Sequence, residues 1–363
     1  MKTREVLKDF EAYGWETPTR EIAEKVGLKP DRIVRLDTNT SPYRPAAAMR
    51  QLERVLPQTR VNDYPDTSYH GLAEGLSRYI GKGMERIVVT NGADEGLDIV
   101  TKVFLDRDDE VIIPTPTYSM YRIGAQLMGA KVRAVPRREN FQLDVEKVLE
   151  AVGPRTRLVF LCNPNNPTGN FSPLDDLERI ARESGVAVLV DEAYFEMCGK
   201  TAIDLTDRYE NVIICRTMSK AFSMAGVRVG YLVAKRETVE TMNKVRPPNS
   251  LSVISVILGE AGLAHLGEMR KNVRATVRDR QSLFEGLNAV KGRVTAFPSE
   301  TNFILFRVEG TDADGVHQKL MERGLVLRNL SHVRGAENCL RTTVGTAQTN
   351  RRLLAELRKV LTG

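Results

Sequence analysis

Short runs of Val, Ile and Leu alternate with amphipathic stretches through the middle of the chain. The runs Ile87–Thr90, Glu110–Ile113, Lys131–Val135, Leu158–Leu161, Val186–Val190, Val212–Cys215 and Val229–Val233 have strand length. Between them, apolar residues at three- and four-residue spacing predict a helix ending near Phe104, then helices at Met120–Met128, Asp144–Ala151 and Pro173–Glu183. Apolar strands separated by such helices predict an α/β domain, a mostly parallel seven-stranded sheet buried between helix layers.

Beyond about Lys235 the texture changes. Two long helical patterns, Ser250–His265 and Leu266–Asn288, lead out of the sheet. Strand patterns near Val294 and at Asn302–Arg307, Val326–Arg328 and Cys339–Thr343, with helices Ala313–Arg323 and Gln348–Leu361, predict a smaller α+β domain. The N-terminal segment is expected to complete it, with a helix at Thr19–Val26 capped by Thr19 and stopped by Gly27, and a strand at Ile33–Leu36. Helices are also expected at Ala46–Leu56 and Tyr69–Ile80. The expected division is residues 41–245 for the large domain and 1–40 with 246–363 for the small one, since 363 residues exceed one ordinary core.

Composition narrows the function classes. A hydrophobic share of 42% and a charged share of 28% describe a globular protein. The formal charge of +6 is spread among acids, as in Arg107-Asp108-Asp109, which suits anionic small molecules better than nucleic acid. Cys162, Cys198, Cys215 and Cys339 form no CxxC pair and no zinc spacing, so no metal and a reduced, cytoplasmic setting are expected. Met1–Phe10 is charged and unlike a signal peptide, and no apolar run approaches the ~20 residues of a membrane span.

The unusual loops all follow strands, at the carboxyl ends where open α/β sheets bind ligands. In Thr217-Met218-Ser219-Lys220, the lysine amine can form a Schiff base with an aldehyde. Thr217, Ser219 and Arg228 can hold a phosphate. Alone, Lys220 reads more readily as a solvated surface charge. Asn91-Gly92-Ala93-Asp94-Glu95 opens a helix whose N–H groups favour a phosphate, though an ordinary Asn-Gly turn fits the same residues. The rigid loop Cys162–Gly169 can aim the Asn166 amide at a ligand oxygen. Asp191 ends an apolar strand, where a carboxylate needs a partner; a protonated pyridine nitrogen is one, an N-cap role another. Tyr194 and Tyr118 suit a hydrogen bond to a phenolic oxygen and a stacked ring, or plain core packing. Arg341, inside a strand pattern, wants an anion if it faces inward.

Asn-Asn-Pro-Thr-Gly (165–169), Asp-Glu-Ala-Tyr (191–194), Ser-Lys-Ala-Phe-x-x-Ala-Gly-x-Arg-x-Gly (219–230) and Leu-Arg-x-Thr-Val-Gly (340–345) together resemble the fold-type-I aminotransferases that use pyridoxal 5′-phosphate (PLP). The histidinol-phosphate aminotransferase family is the nearest pattern, from about Ile33 to the C-terminus. The resemblance implies PLP as cofactor, Lys220 as its Schiff-base residue and Asp191 against the pyridine nitrogen. It implies Asn166 and Tyr194 on the 3′-oxygen, Tyr118 on the ring, and Ala93 and Asp94 amides with Thr217, Ser219 and Arg228 on the phosphate, Gly92 allowing close approach. It places Arg328 and Arg341 on substrate anions, with Asn39 beside the substrate. It also implies an amino donor, a 2-oxo acid acceptor, and a homodimer in which Tyr64 reaches the neighbouring site. One departure stands out: the family's usual Asn-Glu-Asn-Pro reads Asn39-Thr40-Ser41-Pro42, which removes an acid near the substrate. An aromatic or other amino-acid aminotransferase, a decarboxylase of a phosphorylated amino acid, and a PLP-binding regulator are the other readings.

Overall fold

The computed structural model describes residues 1–8, 10–290 and 292–362. Strand β1 (Val34–Leu36) belongs to the second of two sheets. The next seven strands are β2 (Ile87–Thr90), β3 (Glu110–Thr115), β4 (Lys131–Pro136), β5 (Thr156–Cys162), β6 (Ala187–Asp191), β7 (Val212–Thr217) and β8 (Gly230–Val233). They form one sheet in the order β2-β8-β7-β6-β5-β3-β4. β8 runs antiparallel to β2 and β7, and the pairs from β7 through β4 are parallel.

Both faces are covered, as the unbroken apolar runs require. In β6, Val188 and Val190 enter the core on one face and Leu189 the core on the other; β7 alternates likewise through Ile213 and Ile214. Each such fully buried side chain contributes about 1.5–3 kcal/mol. In register, Cys162 lies beside Asp191 and Asp191 beside Cys215. The loops after β5, β6 and β7 therefore leave the sheet at one level.

The second sheet adds β9 (Val294–Ala296), β10 (Phe303–Val308), β11 (Leu325–Asn329) and β12 (Cys339–Thr343), in the order β1-β11-β12-β10-β9. β1 pairs parallel with β11 and the other pairs are antiparallel. Leu283 and Leu287, then Leu353 and Leu357, cover it from two helices.

Two local expectations differ from the structure, and one helix had not been expected. Thr19 is not a cap: the helix begins with it, Pro18 holds the N-cap position, and the Thr19 hydroxyl accepts from Arg35 at 3.3 Å. The helix expected from Ser250 begins at Val253, because Ser252 Oγ accepts the Ser255 N–H at 3.0 Å. A helix at Arg236–Asn243 escaped the periodicity, since only Val239 and Met242 of its residues are buried. The four cysteines are unpaired, and no helix among the described residues is long and apolar enough to cross a membrane.

Candidate active site

A cavity of about 590 Å³ opens where the loops after β2, β3, β5, β6 and β7 meet β11 and β12. One end is built on close backbone approach. A Cβ on Gly230 would fall 2.4 Å from the Gly92 carbonyl carbon, so only glycine lets β8 pass the turn that opens the helix Gly92–Phe104. Gly92 has φ +75°, and a side chain there would strike Arg228 Nη2 at 2.5 Å. Gly92 itself is not among the residues lining the cavity, and its lack of a side chain leaves room for Arg228 beside it.

Ala93, Asp94, Thr217, Ser219 and Arg228 line that end. Arg228 donates to Asp94 Oδ2 at 3.1 Å and to Ser219 Oγ at 3.4 Å, and Thr217 Oγ1 donates to Ser219 Oγ at 2.8 Å. Helix-start amides, two hydroxyls and a guanidinium make a donor set suited to a phosphate.

Asp191 lies at the floor. It accepts from the Tyr121 hydroxyl at 2.7 Å and from the Ala193 N–H at 3.0 Å. Burial nevertheless pushes its carboxyl up to about 6, the two hydrogen bonds offsetting only part of that. A buried carboxylate held by neutral donors alone is completed by a cation such as a protonated ring nitrogen. Tyr121 was missed in the sequence. It stacks on Phe160 at 5.0 Å and meets Tyr118 edge-on at 5.7 Å, and its position in the first turn after Pro-Thr-Pro-Thr-Tyr was the available signal. Tyr118 lines the cavity and donates to Asp94 Oδ1 at 3.0 Å.

Lys220 sits across from these groups, its Nζ 3.5 Å from the Thr38 carbonyl and 5.8 Å from the Tyr194 ring. Burial first, then the nearby Arg341 cation, bring its amine down to about 8. Asn39 donates from Nδ2 to the Tyr194 hydroxyl at 3.1 Å, leaving that O–H free to donate onward. In the loop after β5, Asn163 and Asn165 bind their own loop and its neighbours, at 3.1 Å to the Ser172 carbonyl and 3.0 Å to the Pro116 carbonyl. Asn166 alone turns to the cavity, where its Oδ1 accepts from Arg341 at 2.6 Å and its N–H groups remain for a ligand.

Arg341 and Arg328 are direct partners across β11 and β12, an arrangement that repels until an anion joins it. Arg341 is buried, donates to the Asp37 carbonyl at 2.7 Å, and keeps a buried Nε with no partner. Arg328 lies nearer the mouth, 3.5 Å from Glu16. The N-terminal stretch from Glu11 to Glu16 lines the same cavity, which the sequence did not signal. Tyr64 lies elsewhere, 84% exposed.

These residues fit PLP. The buried acid suits its ring nitrogen, the donor cluster its phosphate, Asn166 and Tyr194 its phenolic oxygen, and the amine of Lys220 its aldehyde.

Residues 31–357 match the family described as aminotransferase class I and II. Among curated proteins, histidinol-phosphate aminotransferase of Caldanaerobacter subterraneus subsp. tengcongensis is 38% identical over 99% of this chain and 98% of that one. The enzyme of that name from Methanocaldococcus jannaschii is 34% identical over 99% and 98%. Among solved structures, histidinol-phosphate aminotransferase from Sinorhizobium meliloti in complex with pyridoxal-5'-phosphate gives a TM-score of 0.88 at 24% identity, covering 99% of this chain and 97% of that one. L-threonine-O-3-phosphate decarboxylase from Porphyromonas gingivalis gives 0.81 at 21% identity, covering 91% and 100%.

Proposed function

This chain belongs to the class I and II aminotransferases, and on that footing we propose that it moves the amino group of L-histidinol phosphate to 2-oxoglutarate, a step of histidine biosynthesis. The products are imidazole acetol phosphate and L-glutamate. PLP is its cofactor; when bound, it withdraws electrons from the donor's amine-bearing carbon and carries the amino group between substrates.

The protein's residues divide that work. Lys220 anchors the cofactor, and its amine, once released, moves the proton at the donor α-carbon; an ordinary lysine holds its proton up to 10.5, whereas burial brings this one down to about 8. Asp191 keeps the ring nitrogen protonated, and Tyr121 keeps Asp191 in place. Asn166 and Tyr194 orient the ring through its phenolic oxygen, and Tyr118 walls its face. Ala93, Asp94, Thr217, Ser219 and Arg228 hold the phosphate.

The observation that carries the substrate reading is Arg341, a buried guanidinium with an unused N–H, set opposite a second arginine. That pair suits both a phosphorylated donor and a dicarboxylic acceptor. The name shared by the curated relatives supports this donor over another amino acid. The likeness to the decarboxylase reaches the fold alone.

The same proposal includes a homodimer in the cytoplasm. Met49, Leu56, Val61 and Tyr64 expose apolar surface in one stretch of chain, and the largely apolar helix Val253–Ala264 packs beside it on the helix Ala46–Val55. Tyr64 would then reach the partner's phosphate. Sedimentation at the mass of one chain, 40.6 kDa, would remove the shared site.

A half-reaction panel tests the function. L-histidinol phosphate and L-glutamate should each convert the PLP-loaded protein to its aminated form in one turnover, and O-phospho-L-threonine should release no carbon dioxide. Rapid conversion by L-phenylalanine with none by L-histidinol phosphate would overturn the assignment.

A further inference from the structure

Five acids line the cavity, and four are held by other partners. Asp94 meets Arg228, Asp37 is bound by Arg35, Glu11 pairs with Arg122, and Asp191 accepts from Tyr121. The fifth, Glu16, is set against a substrate arginine. Its Oε1 lies 3.5 Å from Arg328 Nη1 and accepts the Tyr13 hydroxyl at 2.9 Å. The Tyr13 ring lies 6.0 Å from the same guanidinium. Thr40, on the same wall, carries no charge, so Glu16 is the acid left on the substrate side.

We infer that Glu16 is a specificity-determining residue that occupies Arg328 when the far end of the substrate carries no anion and yields when it carries a carboxylate. The consequence for the donor rests on the aminotransferase reading above. A donor with its phosphate on Arg341 and a ring bearing N–H groups at its far end finds an acceptor in Glu16. A dicarboxylate must first displace Glu16 from Arg328. One site thus serves two unlike far ends, with a handicap on the dicarboxylate. The Arg328 and Glu16 side chains are 30% and 32% exposed, so the handicap is modest, roughly two- to fivefold in affinity.

The chain carries its own reporter. Trp15, the single tryptophan, adjoins Glu16 and lies 6.1 Å edge-on from Tyr13. Glutarate, a dicarboxylate that cannot react, is titrated onto the PLP-loaded protein while Trp15 fluorescence is followed. Glu16→Gln should bind glutarate roughly two- to fivefold tighter than wild type and raise the KM for L-histidinol phosphate by a similar factor. In an Arg328→Gln background the Glu16→Gln gain for glutarate should disappear, since the two residues act on each other. Glutarate binding that is no tighter in Glu16→Gln, or a gain that persists without Arg328, overturns the inference. If wild type fails to use L-histidinol phosphate, the proposed donor is wrong, and the glutarate titration still decides the role of Glu16.

Discussion

At the floor of the cavity, Asp191 receives two hydrogen bonds and is nearly sealed from solvent; at the mouth, Glu16 and Arg328 meet at 3.5 Å with about a third of each side chain exposed. The floor comes from neighbouring strand ends of one sheet, fixed by a shared register. The mouth comes from the N-terminal stretch, the Asn39 loop and two strands of the other sheet. The contrast follows from their tasks. The floor meets one unchanging cofactor, so its groups are spent on fixed partners. The mouth meets two substrates in turn, so its ion pair must be open to exchange.

Substitutions that separate floor from mouth are ordered here by expected effect. Lys220→Ala removes the amine that moves the proton, and single-turnover rates should fall at least about 10³-fold, with PLP still bound but its imine absorbance lost. Asp191→Asn should lower kcat about 10²- to 10³-fold, because the ring nitrogen loses its counter-charge. The same change should raise the melting temperature of the cofactor-free protein at pH 7. The sign follows from a carboxyl raised in the fold from its ordinary 3.8 to about 6: stability present below 3.8 is lost as pH rises through 6, and asparagine avoids that loss. The difference in melting temperature should close as pH falls toward 4.

Arg341→Lys acts on the substrate side. Loss of the fork geometry should raise KM for both substrates about tenfold or more, with a smaller change in kcat. Arg341→Gln adds a pH signature: without that neighbouring cation, the pH at which Lys220 takes up its proton should move above 8. Tyr121→Phe should have the smallest effect, about tenfold in kcat, since it removes one hydrogen bond to a charged group and leaves the Ala193 N–H. A larger loss for Tyr121→Phe than for Asp191→Asn would contradict the role of Tyr121 as a support for Asp191.

Floor residues were legible in the sequence because strand ends place them in contiguous motifs. Thr217, Ser219 and Lys220 share one turn, and Asp191 and Tyr194 another. Tyr121 was not, since a tyrosine on a helix face carries the same pattern whether it packs or bonds a carboxylate. Gly92 was tied to this end of the site by its turn, but only three-dimensional packing shows that a side chain there would meet Arg228. At the mouth, Arg341 stood out as a charge in a strand pattern and Arg328 through the family resemblance, whereas Glu16 lies outside any helix or strand, where an acid looks solvated. Its meeting with Arg328 depends on the fold bringing residue 16 to residue 328.

The central claim, a cofactor tethered to one lysine at the floor, is tested most directly by borohydride reduction of the PLP-loaded protein followed by peptide mass analysis. The account predicts one pyridoxyl group per chain, on the peptide containing Lys220. A label on another lysine, or none, would contradict it.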